Sequence, residues 1–119
     1  PLMGTQDDEF ICPQSRFAGL PDLEMEKAQK EGKLNLLAYG ENVGYTIFES
    51  NDQKQLMHLG HPEYTVHRII SEIERDKEKG DVPPPENFDP NSSKTAWRSH
   101  RNLLFQQWLW FCYQQVSLN

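Results

Sequence analysis

The stretch LMHLGHPEY, residues 56–64, decides how the fold of this chain is interpreted. Its apolar first half predicts a short strand that Gly60 ends. Pro62 then favours the start of a helix, because its φ is already fixed near the helical value. Strands followed directly by helices build α/β folds. We therefore expect an α/β fold with this junction at the carboxyl edge of a sheet, where ligands of open α/β sheets bind.

His61 and Glu63 bring a base and a carboxylate to the junction. They lie two residues apart, so an extended backbone would point both side chains the same way. A carboxylate beside an imidazole can hold its tautomer and stabilise the imidazolium. Alone, a histidine is more often structural, and a first-turn glutamate is an ordinary partner of the helix dipole. The flanking glycine and proline favour the catalytic interpretation. In that interpretation His61 and Glu63 are two members of a triad that lacks its nucleophile.

Composition limits the classes of partner. The 119 residues predict one domain, and 18 acidic against 12 basic residues give a net charge of −6 without a basic stripe, which argues against nucleic acid. No run of about 18 apolar residues and no basic-then-apolar leader is present, so we expect a soluble, cytoplasmic protein that does not bind membranes.

The cysteines and histidines predict neither a metal site nor a nucleophile. The four histidines and two cysteines have no metal-ligand spacing, and Cys12 and Cys112 are too far apart in sequence for a CxxC motif. Cys112 lies in an aromatic run typical of an inert buried thiol. Cys12 precedes a proline without a glycine-flanked elbow. We therefore expect the nucleophile outside these residues.

Apolar periodicity and turn residues predict the remaining elements. The strands are a short one over 8–12 and three longer ones over 34–39, 43–49 and 55–59. The helices are one over 22–31 that stops at Gly32, one from Val66 to Gly80, and a last one over 95–116 with Ser93 or Thr95 as its N-cap. A proline-rich connection over 81–93 precedes the last helix. The turn over 50–53 predicts that the second and third of the three longer strands form a hairpin.

The last helix suggests that the chain is incomplete. It is apolar almost all round from Leu103 to Tyr113, a pattern typical of a helix buried on several sides. Three short strands offer few surfaces for such burial. The chain also begins at Pro1 rather than methionine, which we interpret as a processed product or a piece of a longer protein.

Two further polar residues have ordinary explanations when they are considered alone. Arg75 would be a partner for neighbouring acids on its own helix. Ser15 would be a turn hydroxyl that bonds nearby backbone.

Taken together, the segments resemble the C-terminal half of homoserine O-acyltransferases of the succinyltransferase type, the homoserine trans-succinylase family. The resemblance is carried by the residues Asp7–Phe10, Pro13–Phe17, Gly60–Tyr64, Thr95–His100, Asn102–Phe105 and Trp108–Leu109. The His-Pro-Glu element is only moderately specific, because class I glutamine amidotransferases share it. The Trp-Arg-Ser-His element with its Asn-Leu-Leu-Phe sequel is much more specific.

The resemblance implies a flavodoxin-like α/β fold of the class I glutamine-amidotransferase type. Residues 1–119 would form its C-terminal half as a single piece, inactive without the N-terminal half that carries the nucleophile. The implied reaction is ping-pong transfer of an acyl group from acyl-CoA to the hydroxyl of homoserine, in methionine biosynthesis. Acyl-CoA is a co-substrate and no cofactor is implied. Besides the N-terminal half, a second copy in a homodimer is a partner to consider.

The resemblance also assigns roles to four residues. His61 matches the family's base and Glu63 its orienting acid, both acting with a cysteine of the absent half. Arg75 matches the arginine that holds the carboxylate of the amino acid, and Ser15 a serine of the substrate pocket. Gln14 stands where the family usually has histidine, which leaves the acceptor amino acid open. Arg101 replaces a glycine, for which we have no functional explanation.

Several alternatives stay open at this point. The acyl donor is succinyl-CoA or acetyl-CoA, and the acceptor is homoserine or, as in a serine O-acetyltransferase of the same family, serine. A glutamine-amidotransferase half shares the His-Pro-Glu element, although Arg75 and the segment Trp97–His100 argue against it. A non-catalytic interaction module that keeps the fold is the remaining alternative.

Overall fold

The computed structural model describes residues 2–16, 18–80, 82–91 and 94–117. It divides into two compact units, each with its own small core. The sheet unit spans Cys12–His61, and the helical unit combines Pro1–Ile11 with Pro62–Asn119. The described elements are the helices α1 (Asp22–Lys30), α2 (Val66–Lys79) and α3 (Arg98–Ser117) and the strands β1 (Leu34–Gly40), β2 (Gly44–Ser50) and β3 (Leu56–His58). The α/β class is thereby confirmed.

The sheet is an antiparallel meander in the order β1-β2-β3. The predicted hairpin of β2 and β3 is confirmed, with Ile47 opposite His58. In its turn, the hydroxyl of Ser50 donates to Asp52 Oδ1 over 2.7 Å. Short turns suffice because antiparallel neighbours need no crossover helix. His61 lies just beyond the C-terminal end of β3, at the position that the sequence predicts.

Helix α1 covers one face of the sheet, contacting β1 and β2. Met25 is its buried residue, and Ile47 and Phe48 of β2 complete the apolar core of the unit. At the helix C-terminus Gly32 adopts φ +73°, a conformation that glycine reaches without steric cost. The predicted helix and its glycine stop are confirmed.

Helix α2 begins at Val66, as its apolar periodicity predicts, and not at Pro62. Pro62 and Glu63 form a turn, and Thr65 is the N-cap, its hydroxyl accepting a hydrogen bond from the amide of Arg68 over 3.1 Å. A threonine in extended conformation that satisfies an orphan helical N–H competes successfully with proline for the helix start. Glu63 is therefore neither on extended backbone nor in the first helical turn. The predicted end at Gly80, with φ +77°, is confirmed.

Helix α3 begins at Arg98, three residues after the predicted start. The buried Trp97 precedes it, and the carbonyl of Trp97 accepts a backbone hydrogen bond from the amide of Arg101 over 2.9 Å. Thr95 lies outside the helix, and Ser93 is outside the described residues. The proline-rich connection is irregular over 82–91, as expected, whereas residues 8–12 do not form the predicted strand.

The prediction that α3 is buried on several sides is wrong for this chain. Leu104 is 2% exposed, but most large apolar side chains that follow it are open to solvent. Among the described elements of the helical unit, α2 and α3 do not pack against each other. A search of the described helices found none that is both long and apolar enough to cross a bilayer.

We expect Ile47→Ala to lower the free energy of unfolding by about 2–5 kcal/mol, because the side chain is completely buried and its removal leaves a cavity. The matched control is Leu23→Ala, at a leucine that is 80% exposed, for which a change within about 0.5 kcal/mol is expected. Urea unfolding of both variants checks the difference. Equal losses would contradict the assignment of Ile47 to the core.

Candidate functional site

The backbone before His61 is clamped by the loop that carries Ser15. The amide of His61 donates to the carbonyl of Pro13 over 2.8 Å. Gly60 is buried, and a Cβ placed on it would lie 2.6 Å from Gln14 Nε2, 2.8 Å from Cys12 Sγ and 3.0 Å from the Pro13 carbonyl oxygen. Glycine is therefore required by close approach of the two segments. This contact brings the loop of Ser15 to the residue before the predicted base.

A second histidine supports the same junction. The amide of Gly60 donates to Nδ1 of His58 over 3.1 Å. Since Nδ1 is the acceptor, neutral His58 carries its proton on Nε2. His58 thus has a structural role at the end of β3, which its place in an apolar run did not reveal.

The rest of the Ser15 loop is held from its other side. The guanidinium of Arg16 donates from Nη2 to the carbonyl of Val43, at the turn between β1 and β2. Ser15 is exposed and lies between this anchor and the Pro13 anchor.

Gln14 places a carboxamide against Gly60. Its Oε1 is buried, and no hydrogen-bond donor reaches it from the described residues. Burial of an unpaired acceptor costs about 1–3 kcal/mol. Gln14 therefore leaves an unpaired, buried acceptor next to the glycine that precedes His61.

Within the helical unit, Glu63 is exposed and precedes a firmly held residue. The indole of Trp97 donates to the carbonyl of Tyr64 over 2.7 Å, and the phenol of Tyr64 donates to Glu72 Oε1 over 2.8 Å. The pKa of Tyr64 is raised, mainly by burial and to a lesser extent by the hydrogen bond to Glu72, so the phenol stays protonated and can donate. The backbone that follows Glu63 is thus fixed from both α2 and the start of α3.

Arg75 lies on α2 and is 50% exposed. Its Nε and Nη2 both lie 3.1 Å from Oδ1 of the adjacent Asp76. The sequence predicts that Arg75 pairs with acids three or four residues away on the same helix, whereas the observed partner is the adjacent residue, Asp76. An exposed pair of this kind contributes about 0–1 kcal/mol, so exchange of Asp76 for another carboxylate costs little.

The four predicted site residues divide between the two units. Ser15 and His61 lie in the sheet unit, and Glu63 and Arg75 lie in the helical unit. The structure brings the Ser15 loop to the backbone of His61, and connects the neighbour of Glu63 to α2. The pairing of His61 with Glu63 stays a prediction.

The most family-specific segment, Trp97–His100, has a structural role. The ring of His100 stacks on Phe10 with centroids 3.8 Å apart and planes inclined by 7°, and its Nδ1 lies 3.1 Å from Gln6 Oε1. Burial lowers the pKa of His100, so the neutral ring is favoured. Two segments that carry the resemblance, the one with Phe10 and the one with His100, thus contact each other.

Metal-binding side chains do not cluster in the described ranges. A search of these residues for groups of three or more His, Cys, Asp or Glu side chains able to hold a metal ion found none.

Comparison with known proteins finds one protein family and several of its members. A family model described as homoserine O-succinyltransferase matches residues 1–118. A homoserine O-acetyltransferase of Geobacillus sp. (strain WCH70) is 40% identical over 117 residues, which cover 92% of this chain and 38% of the relative.

Other relatives, named for acetyl or for succinyl transfer, match over a similar extent. A homoserine O-succinyltransferase of Proteus mirabilis is 37% identical over 117 residues, covering 93% of this chain and 37% of the relative. A homoserine O-acetyltransferase of Methanomassiliicoccus intestinalis is 38% identical over 123 residues, covering 98% and 39%. The chain therefore spans about two-fifths of the length of the curated relatives it matches.

We expect Gly60→Ala to destabilise the protein by about 1–3 kcal/mol, because the new methyl group overlaps a backbone carbonyl as well as two side chains. Gly19→Ala is the matched control, since a Cβ there meets nothing within 4 Å, and we expect it to be neutral or stabilising by less than about 1 kcal/mol. Thermal unfolding measures both. A Gly60 variant as stable as the Gly19 variant would rule out the tight approach.

Proposed function

Because the chain belongs to the homoserine O-succinyltransferase family, we propose that it supplies the base, the orienting acid and the acceptor-binding groups of a homoserine O-acyltransferase. The observation that supports this most directly is the clamped Gly60–His61 junction, which holds the backbone of the proposed base against the loop of Ser15. Precise placement of a reacting group supplies a large share of catalytic power. The proposed reaction is acyl transfer from acyl-CoA to the hydroxyl of homoserine, which feeds methionine biosynthesis.

The proposed chemistry has two half-reactions on a cysteine that lies outside these 119 residues. In the first, His61 removes the thiol proton, the thiolate attacks the acyl-CoA carbonyl, and His61 returns the proton to the leaving CoA thiolate. In the second, His61 removes the proton of the homoserine hydroxyl, and the alkoxide attacks the enzyme thioester. The cysteine leaves and recovers that proton. Glu63 stabilises the imidazolium that forms in each half-reaction.

Arg75 and Ser15 are proposed to hold the acceptor. The guanidinium would exchange its exposed contact with Asp76 for the α-carboxylate of the amino acid, a geometry that a planar fork favours. The hydroxyl of Ser15, on a loop held at both ends, would hydrogen-bond the same substrate. These roles are proposed for a flavodoxin-like acyltransferase domain, which is part of the proposal.

Serine as the acceptor is the second candidate, and Gln14 is the residue that favours testing it. A carboxamide stands beside Gly60 where the family usually has histidine, and its carbonyl oxygen is buried without a donor. A change of one polar group in a pocket can shift the preference between acceptors that differ by one methylene. The donor is likewise open, because the relatives are named for both acetyl and succinyl transfer.

We expect His61→Ala to lower kcat of acyl transfer by about 100-fold or more in the protein at its natural length, because a general base contributes at least that factor. His67→Ala is the control, since that histidine is exposed on α2, and it should leave turnover unchanged. Rates with acetyl-CoA and succinyl-CoA, each against homoserine and serine, identify both substrates. Near-normal turnover of the His61 variant with every pair would refute the catalytic role, and glutaminase activity would favour the amidotransferase alternative.

We expect Arg75→Ala to raise KM for the acceptor by about tenfold or more with little change in KM for the acyl donor, because a hydrogen-bonded charge pair with the substrate is lost. Lys77→Ala, at an exposed cation of the same helix, should change neither constant. Steady-state kinetics with each substrate varied in turn make the measurement. Equal effects on both KM values would show that Arg75 does not recognise the acceptor specifically.

A further inference from the structure

The exposed surface of α3 is unusual for a water-facing helix. Its exposed large apolar side chains are Phe105 (39%), Trp108 (42%), Leu109 (64%), Trp110 (56%), Tyr113 (63%) and Val116 (74%). We call these six residues the α3 apolar face. No Asp, Glu, Lys or Arg occurs from Asn102 to Asn119, although a quarter of the whole chain is charged. Helices that meet water on one side normally carry charged residues there.

Only one side of α3 is covered within the helical unit. Leu104 is 2% exposed and Trp97, just before the helix, is 5% exposed. At 100° per residue, the α3 apolar face spans an arc of about 200°, from Trp108 round to Trp110. Among the described elements of the unit, α2 does not cover this arc. The exposed polar residues within this arc include Asn102 and Gln106, both uncharged. A largely apolar, charge-free patch of this extent marks an interaction surface.

We propose that the α3 apolar face is an internal docking surface, covered by the part of the acyltransferase domain that the relatives carry beyond the region aligned here. The inference rests on membership of the family and not on the catalytic roles of His61 and Arg75.

The extent of the relatives supports this occupant. The alignments cover 92–98% of this chain but only 37–39% of the relatives. About three-fifths of each relative's residues therefore lie outside the aligned region. Larger folded units bury a greater fraction of their surface, so a helix shared with them is expected to be enclosed on more sides. Two tryptophans and the absence of charge are also typical of the fully buried centre of an interface.

A second copy of α3 or a membrane surface fits less well. A helix pair uses a narrow seam of two positions per heptad, whereas the apolar arc of α3 exceeds half the circumference. Helices that lie on membranes carry lysine and arginine along a polar face. The arginines of α3 are Arg98 and Arg101, both in its first turns, and the helix has no lysine.

The first experiment compares two exposed leucines in the protein at its natural length. Leu109→Glu should lower the melting temperature by about 5–10 °C, because it places a charge in a covered apolar interface. Leu23→Glu is the matched control, since Leu23 is 80% exposed and lies between the acids Asp22 and Glu24, so a shift below about 2 °C is expected. Similar small shifts for both variants would overturn the proposal.

The second experiment does not depend on a destabilised variant. Tyr113 is replaced by the photoreactive analogue p-benzoylphenylalanine, with Glu78 on α2 replaced in the same way as an exposed control. Irradiation followed by peptide mass spectrometry should link position 113, and not position 78, to acyltransferase residues outside these 119.

Each other result of the cross-linking contradicts the proposal. Links between α3 helices of two copies would assign the face to a dimer, links to added lipid vesicles would assign it to a membrane, and no link would leave it facing water. All readouts are independent of turnover. If the catalytic hypothesis fails while the expected cross-links form, or if the cross-links fail while the catalytic hypothesis holds, the two proposals are distinguished.

Discussion

The absence of a side chain at Gly60 is the constraint on which the sheet unit's part of the site depends. Any Cβ there would overlap the segment Cys12–Gln14, so only glycine lets that loop reach the end of β3. The resulting bond from the His61 amide to the Pro13 carbonyl ties two segments that are almost fifty residues apart in sequence. Because backbone groups make this contact, it positions the histidine without using its imidazole.

In the helical unit, a buried tryptophan fixes the backbone that follows Glu63. Trp97 donates to the carbonyl of Tyr64, and the phenol of Tyr64 reaches Glu72 on α2. Three stretches of chain are thus joined next to Glu63. The family-specific segment that starts with Trp97 therefore acts through structure, which agrees with the stacking of His100 on Phe10.

Local patterns predicted most of the elements but not all of their boundaries. The hairpin of β2 and β3, the helix α1 and the glycine ends of α1 and α2 follow from turn chemistry and periodicity, which act over a few residues. The start of α2 at Val66 also follows from periodicity, with Thr65 as its N-cap, whereas Pro62 does not begin the helix. For the candidate site, the sequence indicated the residue types around His61. It did not indicate that Pro13 and His58 accept hydrogen bonds from the amides of His61 and Gly60.

The sequence by itself determined the identity of the candidate groups, the α/β class and the membership of an acyltransferase family, because motifs and hydrophobic periods are local properties. Tertiary structure decided that the strands form an antiparallel meander, that Gly60 accepts a distant loop, and that the apolar residues of α3 remain exposed. Those outcomes depend on which surfaces meet across long stretches of sequence. For α3, the apolar sequence indicated burial, whereas within its own unit only one side of the helix is covered.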